Sequence, residues 1–393
     1  MLIVNAMVCD VNGEREEDIC VENGFVIERG KNLDAERQVI DVKGAYILPA
    51  LIDTNVRLQD STLNAKNIQA MAEEAKRGGV GHIVLNADSS PAIDNEVVLE
   101  FAQNGIASVN GIKIDVMLNT LKDDMSLSNI AILLKKGAVV PYVSTIAKND
   151  IAIKIAEYVK MYKTTLFCKA EDNSLMNAGV MLEGDVSSKL GLAGIPQLSE
   201  VLHVSRMIEI ARHFKIAILF KAIASPRSIE LIAQAKKEGV AVQCEVSIHH
   251  LTHSESACED FNTNAKLNPP LASHKDMLLL QKALKEGNID MLTSLHQPNS
   301  PVNKEVAFYD AAYGCEGLGD ALALYYTKLI KTGLISMQEL VQLSVVNPAK
   351  VLGLDAGSVE VGSAITLFDP KTSRVIQDKQ SLYYNQEIFG TVL

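Results

Sequence analysis

Apolar runs of four to seven residues recur along the chain, and from about residue 60 they alternate with longer stretches whose apolar positions repeat at helical spacing. The first 50 residues carry only short runs, Leu2–Val8, Ile19–Glu22, Phe25–Glu28 and Tyr46–Leu48, which read as strands. Asn12-Gly13 and Asn23-Gly24 between them are hairpin signals, because glycine accepts positive φ. A helix capped by Ser61 or Thr62 is expected to run to about Arg77, stopped by Gly78-Gly79 and followed by the buried strand His82–Leu85. The same order repeats further on: helix Asn149–Tyr162 before strand Thr165–Cys168, Leu198–Phe214 before Ile216–Phe220, Ser228–Lys237 before Val240–Val246, and Lys275–Lys285 before Ile289–Thr293. Residues 317–351 read as closing helices, and strand character returns at Ala364–Phe368.

Alternation of this kind predicts a parallel sheet covered by helices. Over some 300 residues a closed (β/α)8 barrel of the TIM type fits best, with an open doubly wound sheet as the alternative. The expected organisation is α/β, with residues 51–352 as the barrel and short strands at both chain ends, in residues 1–50 and 353–393.

Composition narrows the function classes. Charged residues are 22% and hydrophobic residues 48% of the chain, a globular balance, and the net charge of -11 argues against nucleic acid or an anionic membrane as partner. The six cysteines are scattered with no CxxC pair, as expected of reduced thiols, and no run of 18 apolar residues or signal peptide is evident. A cytoplasmic protein is expected. No GxGxxG or Walker loop is present, so nucleotide binding has no support.

The stretch most informative about chemistry is Pro49 to Gln59, PALIDTNVRLQ, where an apolar strand delivers polar residues to a barrel mouth. Together with Ala170-Glu171-Asp172, Gly194-Ile195-Pro196, Glu245-Val246-Ser247-Ile248-His249-His250-Leu251, Lys266-Leu267-Asn268-Pro269-Pro270-Leu271 and Asn347-Pro348-Ala349-Lys350, it resembles the cyclic amidohydrolases, the dihydroorotase branch most of all. The resemblance implies a (β/α)8 barrel beside a small β-sandwich made from residues 1–50 and 353–393, and a site for one or two divalent ions, zinc being the family norm. It also locates the ligand positions. The two strand-one histidines of the family correspond to Asn55 and Arg57, the histidine before Ala-Glu-Asp to Lys169, that of the His-Val-Ser element to Ile223, and the catalytic aspartate to Leu295. The carboxylated lysine or aspartate after the fourth strand would fall in Val139–Ala147, which holds no Asp, Glu or Lys. Substrate-pocket positions correspond to Gln59, Asn268, His296 and Asn299.

A bound ion lowers the pKa of water from about 15.7 to about 7, on the order of 12 kcal/mol toward hydroxide, whereas a lone general base contributes about 3–5 kcal/mol. On these exchanges the expectation is a metal-free chain without catalytic residues or cofactor, a pseudoenzyme. The resemblance then implies a structural or regulatory partner of aspartate carbamoyltransferase in pyrimidine biosynthesis, and a homo-oligomer. Two alternatives stay open: an active cyclic amidohydrolase of dihydroorotase, hydantoinase or allantoinase type with an altered site, and a metabolite sensor using the old pocket. His249 and His253 are read as structural, because their stretch follows a strand rather than forming a helix. His203 and His213 are read as surface residues.

Overall fold

The computed structural model describes residues 1–33, 38–144, 147–176 and 178–393. Both chain ends build one seven-stranded sheet from Leu2–Asp10, Gly13–Glu22, Phe25–Gly30, Val39–Asp41, Tyr46–Pro49, Ile365–Val375 and Glu387–Val392. Ile365 pairs antiparallel with Pro49, so the last part of the chain is stitched to the strand that leads into the barrel. Asp10 reinforces the seam: it accepts from the Val359 amide at 2.8 Å and forms an ion pair with Arg15 at 2.8 Å, which holds its carboxyl below the usual range despite burial. Ile3, Val8, Ile19, Val26, Ile47 and Val359 make this sheet's own core.

The barrel strands are Leu51–Val56, Val80–Leu85, Lys113–Asn119, Val140–Val143, Thr165–Lys169, Ala217–Lys221, Val242–Ser247 and Met291–Thr293, an eight-stranded parallel array in chain order. It closes through a parallel bridge between Val56 and His296, where the Arg57 amide donates to the His296 carbonyl at 2.8 Å. Every residue of the first strand is buried, as a strand covered on both faces requires.

Most expected elements are found within a residue or two. The first helix starts later than its sequence signal: it runs Ala65–Arg77, and Asn64 rather than Ser61 or Thr62 caps it, accepting from the Asn67 amide. Ser61 is unavailable because it closes a short 3-10 turn, Gln59–Ser61. At the other end Gly78 lies so close to Leu318 that a Cβ would meet that carbonyl oxygen at 1.8 Å. Gly78→Ala is expected to destabilise by about 1–3 kcal/mol in urea unfolding, because the obstacle is backbone and cannot swing away. Among the described residues no helix is long and apolar enough to cross a membrane.

Candidate active site

Catalytic groups in such barrels sit where the strands end, and this mouth is crowded with ionic side chains. The sixth strand, Ala217–Lys221, is an apolar run that finishes in lysine. Its ammonium is buried, donates to the Thr54 carbonyl and to Asn86 Oδ1 (3.2 Å), and stands 3.9 Å from Glu245 Oε1. Burial pushes Lys221 down to about 8, against the pull of Glu245. Burial likewise raises the Glu245 carboxyl, while Lys221 and the donors Thr54 Oγ1 (2.6 Å) and Asn55 Nδ2 oppose the rise.

Arg57 lies one layer out. It donates to Asp88 Oδ2 at 2.8 and 3.2 Å and to Asn55 Oδ1 at 3.1 Å. Asp88, with Tyr142 beside it, keeps this largely enclosed guanidinium charged, and Arg57 in turn holds the Asp88 carboxyl below its ordinary range against a larger burial effect. Lys169 pairs with Glu171 at 3.0 Å on the opposite side, with a fifth of its side chain exposed.

The positions singled out from sequence are thus partly gathered. Asn55 and Arg57 share one hydrogen-bond network, Lys169 faces Glu171, and Ile223 and Leu295 are buried aliphatics. Leu295 has φ 47° and Ala222, beside Ile223, has φ 49°, so two of the strand ends carry non-glycine residues in the left-handed region, at a cost of about 1–3 kcal/mol each. Such strain gathers at functional sites, where the surrounding structure enforces it. Of the stretch Val139–Ala147, residues 145 and 146 lie outside the described residues.

The pocket positions disperse. Gln59 is exposed in its turn. His296 is buried with its ring turned to the Gly317 and Leu318 amides (3.4 Å each) and to Glu74 (3.6 Å), and burial lowers it to about 3. Asn299 donates to the Gln297 and Tyr313 carbonyls, and Asn268 borders a small hollow beside the mouth.

Two histidine readings need correction. His203 is buried, not a surface residue: the helix Leu198–Phe214 turns it inward, with Nε2 3.4 Å from Cys168 Sγ. His249 does lie on a helix, the short Ile248–Thr252, because Ser247 caps it through the His250 amide. Both histidines of that helix are spent on structure, His249 against Tyr383 (3.0 Å) and Cys315 (3.3 Å), and His250 against Ser247 (2.7 Å) and the Pro269 carbonyl (3.0 Å). Sequence reasoning assigned no role to Lys221 or Asp88. The available signal was a lysine ending an otherwise apolar strand, two residues before Ile223.

An eight-stranded parallel barrel with polar strand ends at one mouth and a sheet made from both termini is the architecture of the hydantoinases. L-Hydantoinase (dihydropyrimidinase) from Arthrobacter aurescens superposes with a TM-score of 0.87 at 21% identity, covering 100% of this chain and 93% of that one. By sequence the chain belongs to the dihydroorotase-like family: relatives named dihydroorotase match it along nearly its whole length, and the Dihydro-orotase-like family model matches residues 44–222. The protein of Elusimicrobium minutum named dihydroorotase is 34% identical over 395 residues, spanning 98% of this chain and 90% of its own length. That of Ruminiclostridium cellulolyticum, also named dihydroorotase, is 34% identical over 376 residues, spanning 93% and 88%.

These relatives overturn the expectation of a pseudoenzyme. They match over nearly the whole chain and carry an enzyme's name, which favours the alternative of an active cyclic amidohydrolase with an altered site. The expectation that no cofactor is needed falls with it, since zinc is the norm that the family resemblance implies. The inherited donor set nevertheless does not fit a divalent ion: a guanidinium and an ammonium repel it, two aliphatics offer no lone pair, and the Asn55 oxygen already accepts from Arg57 and Asn86. Among the described residues no group of three His, Cys, Asp or Glu is placed to hold a metal.

Proposed function

We propose that this chain hydrolyses the amide bond of a small ring at the barrel mouth, by a site rearranged from the family pattern. The observation that carries the reading is the 34% identity, over 98% of the chain, to a relative named dihydroorotase. The mouth supplies groups suited to the chemistry. Glu171 is the acceptor placed to take a proton from an attacking water. Its partner Lys169, half-buried at the strand end, is the cation that would stabilise the oxyanion forming on the ring carbonyl. The C–N bond then breaks and the ring nitrogen leaves with the proton held by Glu171. The Lys221, Glu245, Asn55 and Arg57 network behind them fixes the strand ends.

Purified protein should accelerate ring opening of at least one of dihydroorotate, hydantoin and allantoin, at a modest rate, because a positioned base contributes about 10²–10⁴-fold. The same assay with added zinc tests the family norm directly. Failure of all three substrates, with and without zinc, would refute the reading. Loss of activity in Glu171→Gln with retained fold would support the assigned base.

A further inference from the structure

Lys169 and Glu171 stand at the end of the fifth barrel strand, Thr165–Lys169, and the backbone that carries them is held from the helix Leu198–Phe214. The second and third residues of that helix, both buried, reach two barrel loops at once. The Ser199 hydroxyl accepts from the Asp172 amide and donates to the Asp172 carbonyl, both at 2.9 Å. The two oxygens of Glu200 accept from the Ala224 and Ser225 amides, at 2.9 Å each, in the loop that follows the sixth strand.

Burial raises the Glu200 carboxyl, and neither amide partner brings a positive charge, so its enclosure is costly. What it secures is a strained segment. Ala222, at φ 49°, lies just before these amides, and Ser225, the N-cap of the helix Pro226–Lys237, makes no side-chain cap bond of its own. Glu200 thus fastens the start of its helix to the loop of the sixth strand, and its neighbour Ser199 is braced against the fifth. The Asp172 amide shares a rigid peptide plane with the Glu171 carbonyl, so the bond to Ser199 fixes the backbone on one side of Glu171. On the other side the Glu171 amide donates to the Lys169 carbonyl at 3.1 Å.

Resting on the proposed reaction, we infer that Ser199 is the positioning residue for Glu171, acting through the Glu171–Asp172 peptide, with Glu200 as its anchor. A general base works only within hydrogen-bond reach of the proton it takes, about 2.6–3.2 Å. A displacement of about 1 Å can cost on the order of a hundredfold in rate, so loosening Glu171 lowers turnover more than binding.

Parent, Ser199→Ala and Ser199→Thr are compared as intact proteins. Hydrogen exchange at the Asp172 amide should quicken about fivefold in Ser199→Ala, the equivalent of one hydrogen bond, and stay near parental in Ser199→Thr, which keeps the hydroxyl. Coupling between Lys169 and Glu171 is read from urea unfolding of Lys169→Met, Glu171→Gln and the double variant. It should be present in the parent and absent once Ser199→Ala is added. On whichever of dihydroorotate, hydantoin and allantoin the parent opens, Ser199→Ala should lose about tenfold or more in kcat with KM within about twofold, and Ser199→Thr should recover it. Unchanged exchange at Asp172, coupling that survives Ser199→Ala, a loss carried by KM, an unchanged kcat, or a Ser199→Thr protein as impaired as Ser199→Ala would each overturn the positioning role. A parent that opens none of the rings, with exchange and coupling as expected, would remove the proposed reaction and leave Ser199 as the residue that sets Glu171 against Lys169.

Discussion

Replacing Lys221 by methionine is expected to destabilise the protein by roughly 3–5 kcal/mol, the usual result of stripping one partner from a buried ion pair. The side chain is 2% exposed, and its removal leaves Glu245 enclosed with only hydroxyl and amide donors from Thr54 and Asn55. The double variant Lys221→Met/Glu245→Gln should regain most of the loss, since a neutral pair of similar shape no longer strands a charge. Chemical denaturation of the three proteins checks this, and a Lys221→Met protein as stable as its parent would show that the ammonium does not hold the barrel centre together.

The same lysine gives a pH signature of fixed sign. Burial lowers it from 10.5 to about 8, so between those values the native state binds fewer protons than the unfolded chain. Stability must then rise with pH across that window, by up to about 1.4 kcal/mol per unit for one proton, and the gain is lost as pH falls through about 8. Lys304, held by the Thr263, Ala312 and Gly314 carbonyls, is also lowered to about 8 and acts in the same direction. The Lys221 contribution is therefore the difference between the parent and Lys221→Met curves. A difference that stays flat from pH 8 to 10.5 would contradict the assignment.

Asp53→Ala should cost roughly 4 kcal/mol and act on barrel closure. Asp53 accepts from Thr293 Oγ1 (2.7 Å), the Ser294 amide (2.9 Å) and the Asn55 amide (3.0 Å), joining the first strand to the eighth. Alanine leaves three buried donors with no acceptor, each worth about 1–3 kcal/mol before relaxation. Asp53→Asn keeps one side-chain carbonyl and should recover part of the loss. Hydrogen exchange at the Ser294 and Asn55 amides should quicken in Asp53→Ala, and unchanged protection there would show that the seam closes without this carboxylate.

The barrel was legible because its signal is periodic and local. Runs such as Thr165–Cys168 and Ile216–Phe220 can only be buried strands when helical stretches flank them, and the observed strands Thr165–Lys169 and Ala217–Lys221 differ by a residue or so. The start of the first helix was not legible, because Ser61, Thr62 and Asn64 are all competent caps and only the preceding 3-10 turn selects Asn64. His203 was misplaced for a related reason. Its helix has buried residues on a broad face, and which histidine points inward depends on the neighbour that covers it, here Cys168.

The residues that the family resemblance sets at its ligand positions, Asn55, Arg57, Lys169, Ile223 and Leu295, can be read without coordinates. Their meaning cannot, because activity in the family belongs to an arrangement of groups and not to five letters, and kinship along the whole chain weighs against a lost function.

The chain's own order of residues thus determined the alternating barrel elements and the short strands at each end, which follow from local periodicity, while the joining of the two ends was implied by the family resemblance. Only the tertiary structure decided which side chains at the strand ends meet. Lys221 finds Glu245 and Arg57 finds Asp88 because parallel pairing sets the ends of neighbouring strands, far apart in sequence, side by side.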